Sequence, residues 1–133
     1  MNKIFEIEME ARDYECDIQG IVNNANYLHY TEHTRHKFIQ TLGLNFAELH
    51  NDGIDVVVAR MNLQYKTPLR GGDKFISRLR MTKEGFRYVF HHDILRADNS
   101  KLCLRATVDV VCVVNGKLSD SEVLKNAFSS YLE

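Results

Sequence analysis

The sequence has no surplus of charge, no long apolar run and no cysteine framework, and each absence removes a class of function. Lys and Arg total 17 against 18 Asp and Glu, a formal net charge of −1 at pH 7. No overall field therefore draws the chain to nucleic acid or to an anionic membrane. No segment approaches the ~20 apolar residues that span a bilayer. The longest apolar runs, residues 56–59 and 110–114, suit buried strands instead. The opening Met1-Asn2-Lys3-Ile4-Phe5-Glu6 has one basic residue and then alternates apolar with acidic, so no secretory signal is expected. Cys16, Cys103 and Cys112 are odd in number and fit no CxxC spacing. Free thiols in a reducing cytoplasm are the expectation, not disulfides or a thiolate metal site.

What is present reads as one globular domain over residues 1–133, with 44% hydrophobic and 26% charged residues. Phe5, Ile7, Met9 and Ala11 alternate with Glu6, Glu8 and Glu10, the pattern of a half-buried strand. A polar loop with Gly20 follows, then a helix over 25–42, with Asn23 and Asn24 as natural N-caps and Gly43 as its stop. On that helix Tyr27, Tyr30, Thr31, Thr34, Phe38 and Leu42 fall on one face, widened by Leu28 and Ile39. A short helix over 45–51 precedes four strands of period two, separated by turns at Pro68 to Asp73, Glu84-Gly85 and Asp98-Asn99. Residues 119–133 read as a terminal helix. An antiparallel sheet wrapped around one long helix covers both apolar surfaces, an α+β architecture.

Chemistry concentrates in Tyr14-Glu15-Cys16-Asp17-Ile18-Gln19-Gly20-Ile21-Val22-Asn23-Asn24-Ala25-Asn26-Tyr27. A carboxylate and a glycine sit in a loop that runs straight into a helix N-terminus. The first N–H groups of that helix, at Asn24 and Ala25, lack intrahelical acceptors and face outward as donors for an oxyanion. A base or nucleophile beside such donors is the minimum for acyl transfer. Alone, an Asp-x-x-Gly loop is commonly only a turn.

The wider pattern, Tyr14-x-x-Asp17-x-x-Gly20-x-Val22-Asn23-Asn24-x-x-Tyr27 with Glu32-x-x-Arg35, resembles the hotdog-fold acyl-CoA thioesterases, in their 4-hydroxybenzoyl-CoA thioesterase branch. Tyr65-x-x-Pro68 followed by Gly72-Asp73 resembles that family's turn between its second and third strands. The resemblance implies a hotdog fold of about five strands around one helix. It also implies hydrolysis of an acyl-CoA to a free acid and coenzyme A, without metal or other cofactor. Asp17 matches the family's nucleophile or general base, and Asn24 the backbone donor that polarises the thioester carbonyl. Tyr14, Gly20, Asn23 and Tyr27 would shape the substrate site. The family's dimers and tetramers imply that Val58, Ala59, Arg60 and Met61 of a neighbouring subunit border it. Ile21 and Asn24 stand where relatives often carry histidine, which keeps open a non-hydrolytic module that binds an acyl thioester or scaffolds partners. The carrier is coenzyme A or an acyl carrier protein.

Other candidates weigh less. Arg60, Lys66, Arg70, Lys83 and Arg87 offer charge-assisted donors to coenzyme A phosphates, with Lys66 and Arg70 favoured by the turn they flank. His29, His33 and His36 form one helix stripe, but opposite Tyr27 and Phe38 and without other ligands, so they read as surface histidines. Cys16 lacks a local histidine to activate it, and Cys103 and Cys112 fall on opposite strand faces by parity. Gly71-Gly72 is a hairpin turn and not a phosphate loop.

Overall fold

The computed structural model, which describes residues 3–132, begins with β1 (Phe5–Glu10), half-buried on its apolar side and wet on its glutamate side. A single 3-10 turn, Asp13–Glu15, and the loop lead into α1 (Asn24–Thr41). Asn23 is the N-cap of α1, and the helix stops at Leu42, where Gly43 takes φ +79°. Next come α2 (Phe46–Asn51), β2 (Ile54–Tyr65), β3 (Lys74–Glu84), β4 (Arg87–Arg96) and β5 (Leu102–Val114). A two-residue β6 (Lys117–Leu118) and α3 (Glu122–Phe128) complete the order. The sheet runs β1-β3-β4-β5-β2, antiparallel throughout, with β6 on β5.

α1 lies along the core and divides it. Phe38 and Ile39 pack with Leu79, Met81, Phe90 and Val108, while Tyr27 and Tyr30 pack with Phe75, Ile94 and Leu104. The expected long helix on an antiparallel sheet is therefore observed. Among the described residues no helix is long and apolar enough to cross a membrane.

Several local expectations change. Residues 56–59 do not form a buried strand: Val57 and Val58 are 46% and 44% exposed, because β2 ends the sheet order and only β5 pairs with it. Leu28, expected to widen the buried face, is exposed, and the charged Arg35, not among the residues expected on that face, is buried. Cys103 and Cys112 do not face opposite ways; a bulge in β5 opposite Ile94 turns Cys103 inward, and both are buried. Burial raises both thiols above their ordinary range, Cys112 to about 11. The tail is helical only over Glu122–Phe128, capped by Ser121, and Glu133 lies outside the described residues. Ahead of it Asn115-Gly116, both at positive φ, closes the β5–β6 hairpin, a signal the period-two reading passed over.

Candidate active site

Residues 15–17 run antiparallel beside 21–23. The Asp17 N–H donates to the Ile21 carbonyl at 2.9 Å, Cys16 bridges Val22, and the Asn23 N–H donates to the Glu15 carbonyl at 2.9 Å. The connection between these runs needs Gly20, whose φ of +79° costs a side-chain-bearing residue far more. Asp17 is exposed, and its Oδ1 accepts from the Gln19 N–H at 2.8 Å, closing an Asx turn.

The helix start differs from expectation in one respect. Asn23 Oδ1 accepts from the Ala25 N–H at 3.0 Å, and the Asn26 N–H donates to the Asn23 carbonyl at 2.9 Å. Ala25 is thus already capped. Among the described residues only the Asn24 N–H, of these three, has no partner.

The two motif blocks, forty residues apart in sequence, meet here. Tyr65 donates its hydroxyl to the Asn24 carbonyl at 3.2 Å, and the Leu69 N–H donates to the Tyr27 hydroxyl at 3.1 Å. Val22 N–H donates to the Leu69 carbonyl at 2.8 Å, and Ile21 bridges Arg70. Gly71 passes so close that a Cβ there would stand 3.1 Å from Asp13 Cα. The turn is held in shape by Asp73, which accepts from Arg96 at 2.6 and 3.1 Å and from the Arg70 N–H at 2.7 Å. Burial pushes the Asp73 carboxyl up, but the Arg96 and Arg70 hydrogen bonds outweigh it and hold the group below its usual range.

Asp17, Gly20, Asn23, Asn24 and Ala25 therefore share one laddered loop and helix start, to which Arg70 is joined by its bridge to Ile21. Tyr14 is exposed on the same loop. Tyr27 is buried, and its hydroxyl anchors the turn. Lys66 is exposed where β2 ends. Val58, Ala59, Arg60 and Met61 lie exposed on the end strand, with a bulge between Val58 and Arg60. Lys83 and Arg87 are not brought in. Lys83 is nine residues from Lys74 along β3, roughly 30 Å at strand rise, and is paired with Asp120, while Arg87 Nη1 pairs with Asp109 at 3.2 Å. His29, His33 and His36 are exposed, and His36 packs edge-on against Phe46.

Sequence reasoning missed Glu15. One of its oxygens accepts from the Tyr30 hydroxyl at 2.8 Å and from the Arg12 N–H at 2.7 Å, and its carbonyl accepts from Asn26 Nδ2 at 2.7 Å. No local spacing signals this, since Tyr30 lies two helical turns past the cap.

Residues 11–128 match the family model described as thioesterase-like superfamily. The chain is 36% identical over 107 residues to the chloroplastic acyl-acyl carrier protein thioesterase ATL3 of Arabidopsis thaliana, covering 80% of this chain and 56% of that one. It is 32% identical over 107 residues to the putative acyl-CoA thioesterase YneP of Bacillus subtilis, covering 80% and 77%. The chain thus spans little more than half the length of the Arabidopsis relative. Among solved structures, a 1,4-dihydroxy-2-naphthoyl-CoA thioesterase from Synechocystis superposes with a TM-score of 0.89 at 17% identity, covering 96% of each chain. A Staphylococcus aureus protein solved in complex with CoA gives 0.88 at 16%, covering 98% of this chain and 85% of that one. The architecture they share with this chain is the hotdog fold.

Proposed function

The chain belongs to the thioesterase-like superfamily, and we propose that it hydrolyses an acyl-CoA or acyl-carrier-protein thioester to a free acid and the carrier thiol. The observation that supports this reading is the loop that carries the exposed Asp17 carboxylate and runs, through its short antiparallel ladder, into the start of α1, where the Asn24 N–H has no partner among the described residues. The thioester carbonyl oxygen would accept from Asn24, which stabilises charge as the carbonyl carbon becomes tetrahedral. In one route Asp17 attacks that carbon, the C–S bond breaks with the electron pair leaving on sulfur, and water then cleaves the mixed anhydride. In the other, Asp17 takes a proton from the attacking water and the thiolate leaves in the same sense. Both consume one water and release one acid and one thiol. The chemistry uses only side chain and backbone, with coenzyme A as part of the substrate.

The exposed edge of β2, carrying Val57, Val58 and Met61, supports a homodimer or a tetramer of dimers. In this reading Arg70 and Lys66, at the turn beside the loop, are the cations that would meet carrier phosphates.

Free-thiol release measured over a panel of acyl-CoA and acyl-carrier-protein substrates tests the reading. Asp17→Asn should lose at least a hundredfold in kcat while keeping its melting temperature, because asparagine preserves the Asx turn. Full activity in that variant removes Asp17 from the mechanism. The capped Ala25 N–H and the absence of histidine at 21 and 24 favour one alternative, a module that binds the thioester without turnover. Tight binding with no thiol release across the panel would select it.

A further inference from the structure

Arg35 presents a charge problem that the Asp17 site does not use. It is 7% exposed, yet among the described residues no carboxylate lies within ion-pair distance of it. Glu32, one turn back, points toward His36 at 3.9 Å, and Asp55 is engaged by His50 at 2.6 Å. Of the guanidinium's five N–H donors, one on Nη1 reaches His92 Nε2 at 3.3 Å. Since arginine only donates, Nε2 accepts and the imidazole hydrogen sits on Nδ1. Buried Nδ1 has no partner among the described residues. Among the described residues, then, Arg35 and His92 together present more buried donors than the one acceptor, Nε2, that they share.

Arg35 also lines a cavity of about 300 Å³ between α1, α2 and β2. Phe46, Val56, Val58, Phe90 and Val110 give it an apolar side, His36 lines it beside Arg35, and the exposed Glu32 and Asp55 rim it. A buried cation beside such an apolar side suits a ligand with an apolar body and one accepting oxygen, because leaving its donors unmet is costly. Carboxylates on the rim oppose an anionic ligand, so the fitting oxygen is a neutral keto or hydroxyl group. The end strand β2, which supplies Val56 and Val58, sets this hollow against the proposed dimer edge.

We propose that this cavity receives the acyl group of the substrate and that Arg35 selects acyl chains bearing a keto or hydroxyl oxygen. The assignment rests on the thioesterase reading above, and its test is arranged to separate the two.

Thioesters of one acyl chain, unsubstituted and with a keto group at successive positions, are compared by kcat/KM. One keto position should raise kcat/KM on the order of tenfold or more. In Arg35→Met that ratio should fall to near one. A ratio near one at every position in the wild type, or a preference surviving in Arg35→Met, overturns the proposal. The wild-type comparison needs no variant, so a poorly folding Arg35→Met leaves the question decidable. Non-hydrolysable thioether analogues of the same chains read the cavity by Kd alone. Keto-selective binding without turnover overturns the hydrolase and supports the Arg35 assignment; turnover with no keto preference in either measurement does the reverse.

Discussion

Asn23 Oδ1 accepts from the Ala25 N–H at 3.0 Å, so the cap of α1 occupies Ala25 and leaves the neighbouring Asn24 as the donor proposed for the oxyanion. Asn23→Ala should destabilise the chain by about 1 kcal/mol through loss of the cap, a fall of several degrees in melting temperature. Asn23→Asp keeps the accepting oxygen and adds negative charge beside Asn24. It should therefore melt at or above the wild type while losing kcat, because that charge opposes an oxyanion. Melting curves and steady-state turnover on the same preparations separate the two effects.

The loop ahead of α1 is tied down by Glu15, which accepts from the Tyr30 hydroxyl at 2.8 Å and from the Arg12 N–H at 2.7 Å. Burial, then the Glu15 hydrogen bond, push the Tyr30 hydroxyl far above its ordinary pKa, so it remains a donor throughout the working pH range. Tyr30→Phe should cost about 1–2 kcal/mol and lower kcat more than it raises KM, since the carboxylate it releases belongs to the turn that aims Asp17. Glu15→Gln, which keeps an accepting oxygen, should recover part of both losses relative to Glu15→Ala. Equal kcat in Tyr30→Phe and wild type would detach the tether from catalysis.

How much of this was legible follows from the range of each interaction. β1 and α1 were readable because alternation and helical periodicity are local, and Asn23 and Gly43 mark the helix ends by their own chemistry. The two motif blocks were readable as blocks, but their hydrogen bonds, Tyr65 to Asn24 and Leu69 to Tyr27, are made only when the chain folds back. The burial of Arg35 was not foreseen for a different reason. Periodicity counts a charge as solvent-facing, and only the imidazole of His92 on β4 and the adjoining cavity explain its burial. Lys83 and Arg87 looked free in sequence because Asp120 and Asp109 come from other strands and turns.

The free edge of β2 supplies the next expectation. Val57, Val58 and Met61 are exposed there on a long strand with one unpaired side among the described residues. Such an edge associates unless it is covered or charged. Val58→Lys with Met61→Glu should shift the sedimentation coefficient to that of a 15.4 kDa monomer. Thiol release should drop with it if the site is shared between subunits. A wild type that sediments as a monomer at all concentrations would exclude the dimer.

His92 sets the direction of the acid response. Burial, then the charge of Arg35 and the neighbouring His91, lower its pKa to about 3. In the unfolded chain an imidazole titrates near 6.5. Between those values the unfolded state binds a proton that the folded state refuses, so stability rises with pH. His92's contribution is complete above about pH 6.5 and is lost as pH falls toward 3, with a limiting slope of about 1.4 kcal/mol per unit. His33, lowered by slight burial and by Lys37, Arg12 and His36, acts in the same sense, so the comparison must be a difference. His92→Gln removes the titration while offering Arg35 an accepting amide oxygen. Urea unfolding at several values between pH 5 and 6.5, above the range where the carboxylates titrate, should give a shallower slope for the variant. Equal slopes would mean that His92 takes up its proton in the folded chain, and with it that Arg35 has an acceptor elsewhere.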